Sequence, residues 1–118
     1  MQPNSDTLTS RALQEIAGKP LFIPLKTKWF NQFKSGEKTV ELRRYGKRWN
    51  ESTCRVGRAV VLSRGYGKQD RLNATIWMFY RRKADTFGST YQAAILETFG
   101  TLDIEIAEIR MTVEASHA

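Results

Sequence analysis

The chain has 118 residues, 41% of them hydrophobic and 11% aromatic, a composition that fits one folded domain and is too apolar for a disordered tail. It carries 19 Lys and Arg against 12 Asp and Glu, a net charge of +7. Its one cysteine, Cys54, and one histidine, His117, exclude an internal disulfide and a Cys-based zinc cage, and leave Ser-His-Asp and Cys-His chemistry without a base.

The charge is local. Between Lys19 and Lys83 stand 17 basic and four acidic residues, a surplus of +13, whereas the rest of the chain holds two basic and eight acidic ones. That asymmetry points to a polyanionic partner such as nucleic acid, the alternative being a basic surface that only keeps the protein soluble. The N-terminus lacks a basic region followed by an apolar one, and Leu21–Leu25 and Ile76–Tyr80 are far shorter than the roughly 20 residues of a spanning helix. The expectation is a cytoplasmic protein without a membrane partner, and an unpaired Cys agrees with a reducing compartment. Oligomeric state is left open, with a monomer the default.

In chain order, Ser10 caps a short predicted helix with Ala12, Leu13, Ile16 and Ala17 on one face, closed by Gly18 and Pro20. Leu21–Leu25 reads as a strand that Pro24 confines to an edge or to a strand end. Thr27 is the candidate N-cap of a second helix through Lys34, whose buried face is Phe33 with Trp29 or Phe30, and Gly36 ends it. A strand follows, with Val40 and Leu42 on one face and Thr39, Glu41 and Arg43 on the other. Residues 44–57 form a long polar loop of the kind that is often functional. Arg58–Arg64 is a strand, residues 65–70 a turn, and the next strand alternates Leu72, Ala74, Ile76, Met78 and Tyr80 against Asn73, Thr75, Trp77 and Phe79. Residues 89–99 fit a helix ending at Gly100. In the last strand the apolar positions change parity, from Leu102, Ile104 and Ile106 to Ile109, Met111 and Val113, which predicts a β-bulge at Ala107–Glu108. The composite is an α+β domain of about five strands curled into a small mixed barrel with flanking helices.

The segment Ser35-Gly36-Glu37-Lys38-Thr39-Val40-Glu41-Leu42-Arg43, followed by Val56-Gly57 and the apolar run Ala59–Leu62, resembles the ASCH domain, a branch of the PUA-like superfamily. That family has a G-x-K-T-x-E-x-R core and then a "vGd" turn into a hydrophobic strand; Arg58 stands at the acidic position of the second element. The similarity covers about Leu21 to Arg82, so residues 1–19 are an extension with a short helix and 20–118 the ASCH/PUA-like domain. The resemblance implies a small PUA-like barrel and an RNA-associated role, with the ligand cleft where the Gly-x-Lys-Thr segment meets the barrel. Some small members hydrolyse the amide of N4-acetylcytidine, others are linked to RNA cleavage, and one eukaryotic branch binds DNA. The amidohydrolase set is the motif Lys, a Thr three residues later and a distant Glu. Carried over, the Lys is Lys38, the Thr position holds Glu41, and Glu97 is the candidate for the distant Glu.

The residues themselves give a parallel reading. Lys38 acts as a base only if burial or neighbouring cations lower its pKa; otherwise it pairs with a phosphate or carboxylate. Strand parity sets Lys38 and Glu41 on opposite faces unless Lys38 precedes the regular strand. Arg43, Arg44, Tyr45, Lys47, Arg48 and Trp49 combine cations for phosphates with stacking faces for bases, though either ring could instead fold over the barrel mouth. Arg64, Tyr66 and Lys68 frame a Gly-Tyr-Gly turn that suits close approach to a phosphate or is a plain hairpin turn. The leading expectation is a binder of single-stranded RNA or of a nucleotide, with DNA as the other nucleic acid. A metal-independent hydrolase using Lys38 and Glu41 is the second, and a regulator that meets an acidic protein the third. No metal or organic cofactor is expected.

Overall fold

The computed structural model describes residues 19–114, so the predicted helix near Ser10 lies outside the described residues. Five strands, β1 (Leu21–Leu25), β2 (Val40–Arg44), β3 (Ala59–Arg64), β4 (Arg71–Lys83) and β5 (Glu105–Val113), form one sheet in the order β1-β3-β4-β5-β2. The β1/β3 pair is parallel and the other pairs are antiparallel. Helix α1 (Thr27–Ser35) joins β1 to β2, and α2 (Ser89–Phe99), reached through a 3-10 turn at Ala84–Thr86, joins β4 to β5.

The sheet curls into a half-barrel and does not close. Its two edges, β1 and β2, remain unpaired with each other. Pro24 sits on the β1 edge, where its missing N–H removes a ladder donor. The expected closed barrel is therefore corrected to an open one with a gap between β1 and β2.

The concave face holds the main core: Ile23, Leu62, Ile76, Ile109 and Met111 from the strands, capped by Phe30 and Phe33 of α1. Phe30 and Phe33 lie one turn apart on α1, so their burial turns Trp29 towards the helix flank, where it is only half-buried. Truncating either Phe to Ala would cost about 3–5 kcal/mol. Gly36 ends α1 in the left-handed conformation (φ 88°), donating its N–H to Phe33 O, as its position in the sequence predicts.

A smaller core of Ala84, Phe87, Ile95, Ile104 and Ile106 lies under α2 on the opposite face. It explains the parity change in β5. Ile106 packs into this outer core, whereas Ala107, Ile109 and Met111 face the main one. The strand stays regular, and its apolar positions switch because it is buried first on one face and then on the other. The bulge predicted at Ala107–Glu108 is absent; the register shift lies in the partner strand β4, between Ile76 and Met78. Trp77 is the inserted residue. Past it the alternation of β4 inverts, so that Phe79 joins the main core and Tyr80 faces out, opposite to the regular alternation read from the sequence.

Candidate functional site

The gap between the sheet edges opens into a cleft of about 660 Å³, within the usual range for small-molecule sites. Its walls are Pro24 and Leu25 of β1, Trp29 and Gln32 of α1, the run from Glu37 to Arg43, and Tyr91, Ala94 and Thr98 of α2.

The centre of the cleft is built by the turn that follows α1. After Gly36 the chain folds back, with Lys38 N–H donating to Gln32 O (3.1 Å). Lys38 thus precedes β2, strand alternation does not govern it, and its Nζ comes within 3.6 Å of Glu41 Oε1. The ammonium also lies 5.3 Å and 5.4 Å from the ring centres of Trp29 and Phe33, an arrangement favoured by cation–π attraction. Arg43 is two residues from Glu41 along the same strand, hence on the same face, and its Nε donates to Glu41 Oε2 (2.6 Å). Its Nη2 donates to Pro24 O (2.7 Å), so one arginine spans the gap between the two sheet edges. Glu41 is 7% exposed and held between two cations. Burial lowers the pKa of Lys38; the Glu41 carboxylate opposes that shift and the Arg43 guanidinium adds to it.

The β2 backbone adds a second recognition element. Thr39 O accepts from Met111 N–H (3.0 Å) and Tyr45 N–H donates to Glu105 O (2.9 Å), so the odd-numbered residues of this strand bond to β5. In an antiparallel ladder the intervening residues, Val40 and Leu42, then turn their N–H and C=O groups to the other side, which here is the cleft. A planar ligand carrying an adjacent donor and acceptor fits such an edge.

The other residues singled out in the sequence are spread over three places. Arg44 is exposed on the outer face, opposite Ile106. Tyr45 is half-buried against Phe79, with the Arg81 guanidinium 4.2 Å from its ring and its hydroxyl donating to Glu51. Lys47 and Arg48 are exposed, but Trp49 is 8% exposed and belongs to the main core, flanked by the guanidiniums of Arg43 (4.8 Å) and Arg48 (5.2 Å). Trp49 is thus corrected from a stacking face to a core residue. The loop can bury it because Asn50 closes a tight turn: its amide donates to Gly46 O and Lys47 O and its oxygen accepts from the Ser52 and Thr53 N–H groups.

Arg64 pairs with Asp70 (3.2 Å) and donates to Asn31 of α1, whereas Tyr66 and Lys68 are exposed at the tip of the β3–β4 turn. Arg58 donates to Lys19 O and Thr53 O, a structural clasp at the position where the ASCH pattern carries an acid. Glu97 is exposed on α2 and is not among the residues lining the cleft. Burial raises the pKa of Cys54, which keeps the thiol protonated. Among the described residues no group of His, Cys, Asp and Glu could hold a metal ion, and no helix is long and apolar enough to cross a membrane.

Trp29 and Tyr91 are the lining residues that sequence reasoning missed as functional. Helix periodicity offered Trp29 as one of two alternatives for the α1 core, and nothing in the sequence tied α2 to β2.

No protein-family model matches the chain, and no curated protein matches it in sequence. Among solved structures, the chain is similar to hypothetical protein PH0355, with 10% identity and a TM-score of 0.61 over 81% of this chain and 100% of that one. At that identity the likeness is one of fold, a mixed five-stranded half-barrel carrying two helices.

Proposed function

We propose that the chain is an ASCH-type, PUA-like protein that binds a nucleotide unit of single-stranded nucleic acid, RNA in the first instance, in the cleft between β1 and β2. The observation that carries this reading is the convergence of Lys38, Glu41 and Arg43 in a cleft that Trp29 and Tyr91 flank and the unpaired edge of β2 lines. Cations serve the phosphate, the rings offer stacking, and Leu42 presents a backbone donor and acceptor to a base edge. The surplus of positive charge in residues 19–83 supports the same partner.

Fluorescence anisotropy with labelled single-stranded RNA over a range of salt tests it. Binding should weaken as salt rises, and Lys38→Ala and Arg43→Gln should each weaken it further. Absence of binding even at low salt would sink the proposal.

A second reading rests on Lys38, whose lowered pKa raises its neutral fraction. As a hydrolase the neutral amine would take a proton from water, and the hydroxide would add to the amide carbonyl of an acylated cytidine. The C–N bond then breaks, the proton passes to the departing amine, and cytidine and the carboxylic acid are released. Glu41 and Arg43 would position the lysine. Turnover of N4-acetylcytidine that disappears in Lys38→Ala favours this reading, and turnover that survives the change excludes the mechanism.

A further inference from the structure

The β4 bulge changes what the outer face of the sheet presents. Trp77 and Tyr80 are three residues apart, so in a regular strand they would lie on opposite faces. The extra residue brings both to the outer face, where they are 48% and 41% exposed, while returning Phe79 to the core.

Arg110 of β5 lies between them, its guanidinium 6.0 Å from the Trp77 ring and 5.2 Å from the Tyr80 ring. It is held there by Glu108, a carboxylate only 2% exposed, to which Arg110 donates from Nε (2.6 Å) and which Nη2 also approaches to 2.6 Å. Arg82 donates to the other oxygen of Glu108 (2.7 Å) and stacks on Phe87 (4.0 Å). Two guanidiniums on one carboxylate leave the patch cationic, and Arg110 Nη1 has no hydrogen-bond partner among the described residues. Tyr91 connects this face with the cleft: it lines the cleft, and its ring lies 5.8 Å from that of Phe87, on which Arg82 stacks.

We infer that this outer face is a second contact surface for single-stranded RNA. The strand leaves the cleft over Tyr91, its bases stack on Tyr80 and Trp77, and its phosphates meet Arg110. Pre-positioned rings and a guanidinium held in place by a buried carboxylate cost little ordering entropy on binding, and aromatic stacking accepts any base. A protein partner would also bury the rings, but the surplus cation favours a polyanion. The inference rests on the cleft reading and assigns the path of the chain beyond it. On this path the strand runs away from the 44–49 loop, whose Trp49 is buried.

The test compares a mononucleotide with a labelled oligoribonucleotide of about a dozen residues, on the full chain. Trp77→Ala and Tyr80→Ala should each weaken oligonucleotide binding about tenfold, as expected for one lost stack, and leave mononucleotide affinity unchanged. Trp77→Phe should restore most of the loss. Arg110→Gln should lower the slope of log affinity against log salt by about one contact's worth. Tyr80→Ala and Arg110→Gln keep the test decisive if Trp77→Ala fails to fold.

Oligonucleotide binding that depends on Lys38 but is indifferent to Trp77, Tyr80 and Arg110 overturns this inference and leaves the cleft reading intact. No binding of either ligand by the wild type overturns both. Concentration-dependent self-association that Tyr80→Ala abolishes, with RNA affinity unmoved, makes the face a homodimer contact instead.

Discussion

Glu41 and Glu108 occupy adjacent strands on opposite faces of the sheet, and each is the first residue of a Glu-x-Arg sequence whose arginine reaches back to it at 2.6 Å. Each also has a second cation: Lys38 at 3.6 Å from Glu41, Arg82 at 2.7 Å from Glu108. The resemblance ends with what surrounds them. Glu108 meets two arginines and sits 2% exposed beneath them. Glu41 meets a lysine whose pKa burial lowers, and it faces a cleft. The same local pattern thus makes a closed clamp on one face and an open, titratable site on the other. The difference comes from the third residue and from whether the sheet edge beside it is paired.

Mutation separates the two carboxylates. Glu108→Gln should have the largest effect, about 3 kcal/mol lost in urea unfolding, because it leaves two guanidiniums half-buried without their counter-charge. No added anion should restore it. Glu41→Gln should cost less, about 2 kcal/mol, because water in the cleft takes over part of the solvation of Lys38 and Arg43. Here phosphate or sulfate should raise Tm more than it does in the wild type, since an anion can enter where the carboxylate was. If both variants respond alike to anions, the contrast between open and closed sites is wrong.

Lys38→Ala sharpens the contrast on the binding side. It should weaken single-stranded RNA binding about tenfold and lower the salt slope by about one contact's worth, while Arg82→Gln leaves mononucleotide binding unmoved.

The smallest expected effect is on pH. The folded pKa of Lys38 lies below the ordinary lysine value of 10.5. In the interval between the two, the unfolded chain holds a proton that the folded chain has released, so stability rises with pH across that interval. Lys38→Gln should flatten the rise, measured as the urea midpoint across alkaline pH. A Glu108 variant should leave this feature in place.

Much of the architecture was legible because it is written in local signals. The α1–Gly36–β2 junction follows from a periodic apolar face, a C-terminal glycine and an alternating strand, and the structure matches it within a residue at each end. Pro24 pointed to an edge or a strand end for the same kind of reason, and β1 lies at the sheet edge. The Lys38–Glu41 contact was readable only conditionally, since it depended on whether Lys38 stood inside or ahead of β2. The β5 parity change was legible as a signal but not as a cause. A strand buried on two faces in succession and a strand with an inserted residue give the same pattern, and only the partner strand shows where the insertion lies. Trp49 was opaque for a different reason. Its burial depends on the Asn50 turn and on a core assembled from β1, β3 and β5, none of which lies near it in sequence.

By itself the sequence determined the element order, the basic stretch from Lys19 to Lys83 and the motif that carries Lys38, Glu41 and Arg43, because helix periodicity, strand alternation and charge are properties of neighbouring residues. Only the tertiary structure decided that the sheet stays open, that α2 walls the gap beside β2, and that Trp77 and Tyr80 share a face. Each of these depends on which strands pair and in what register, and register is set by contacts between residues distant along the chain.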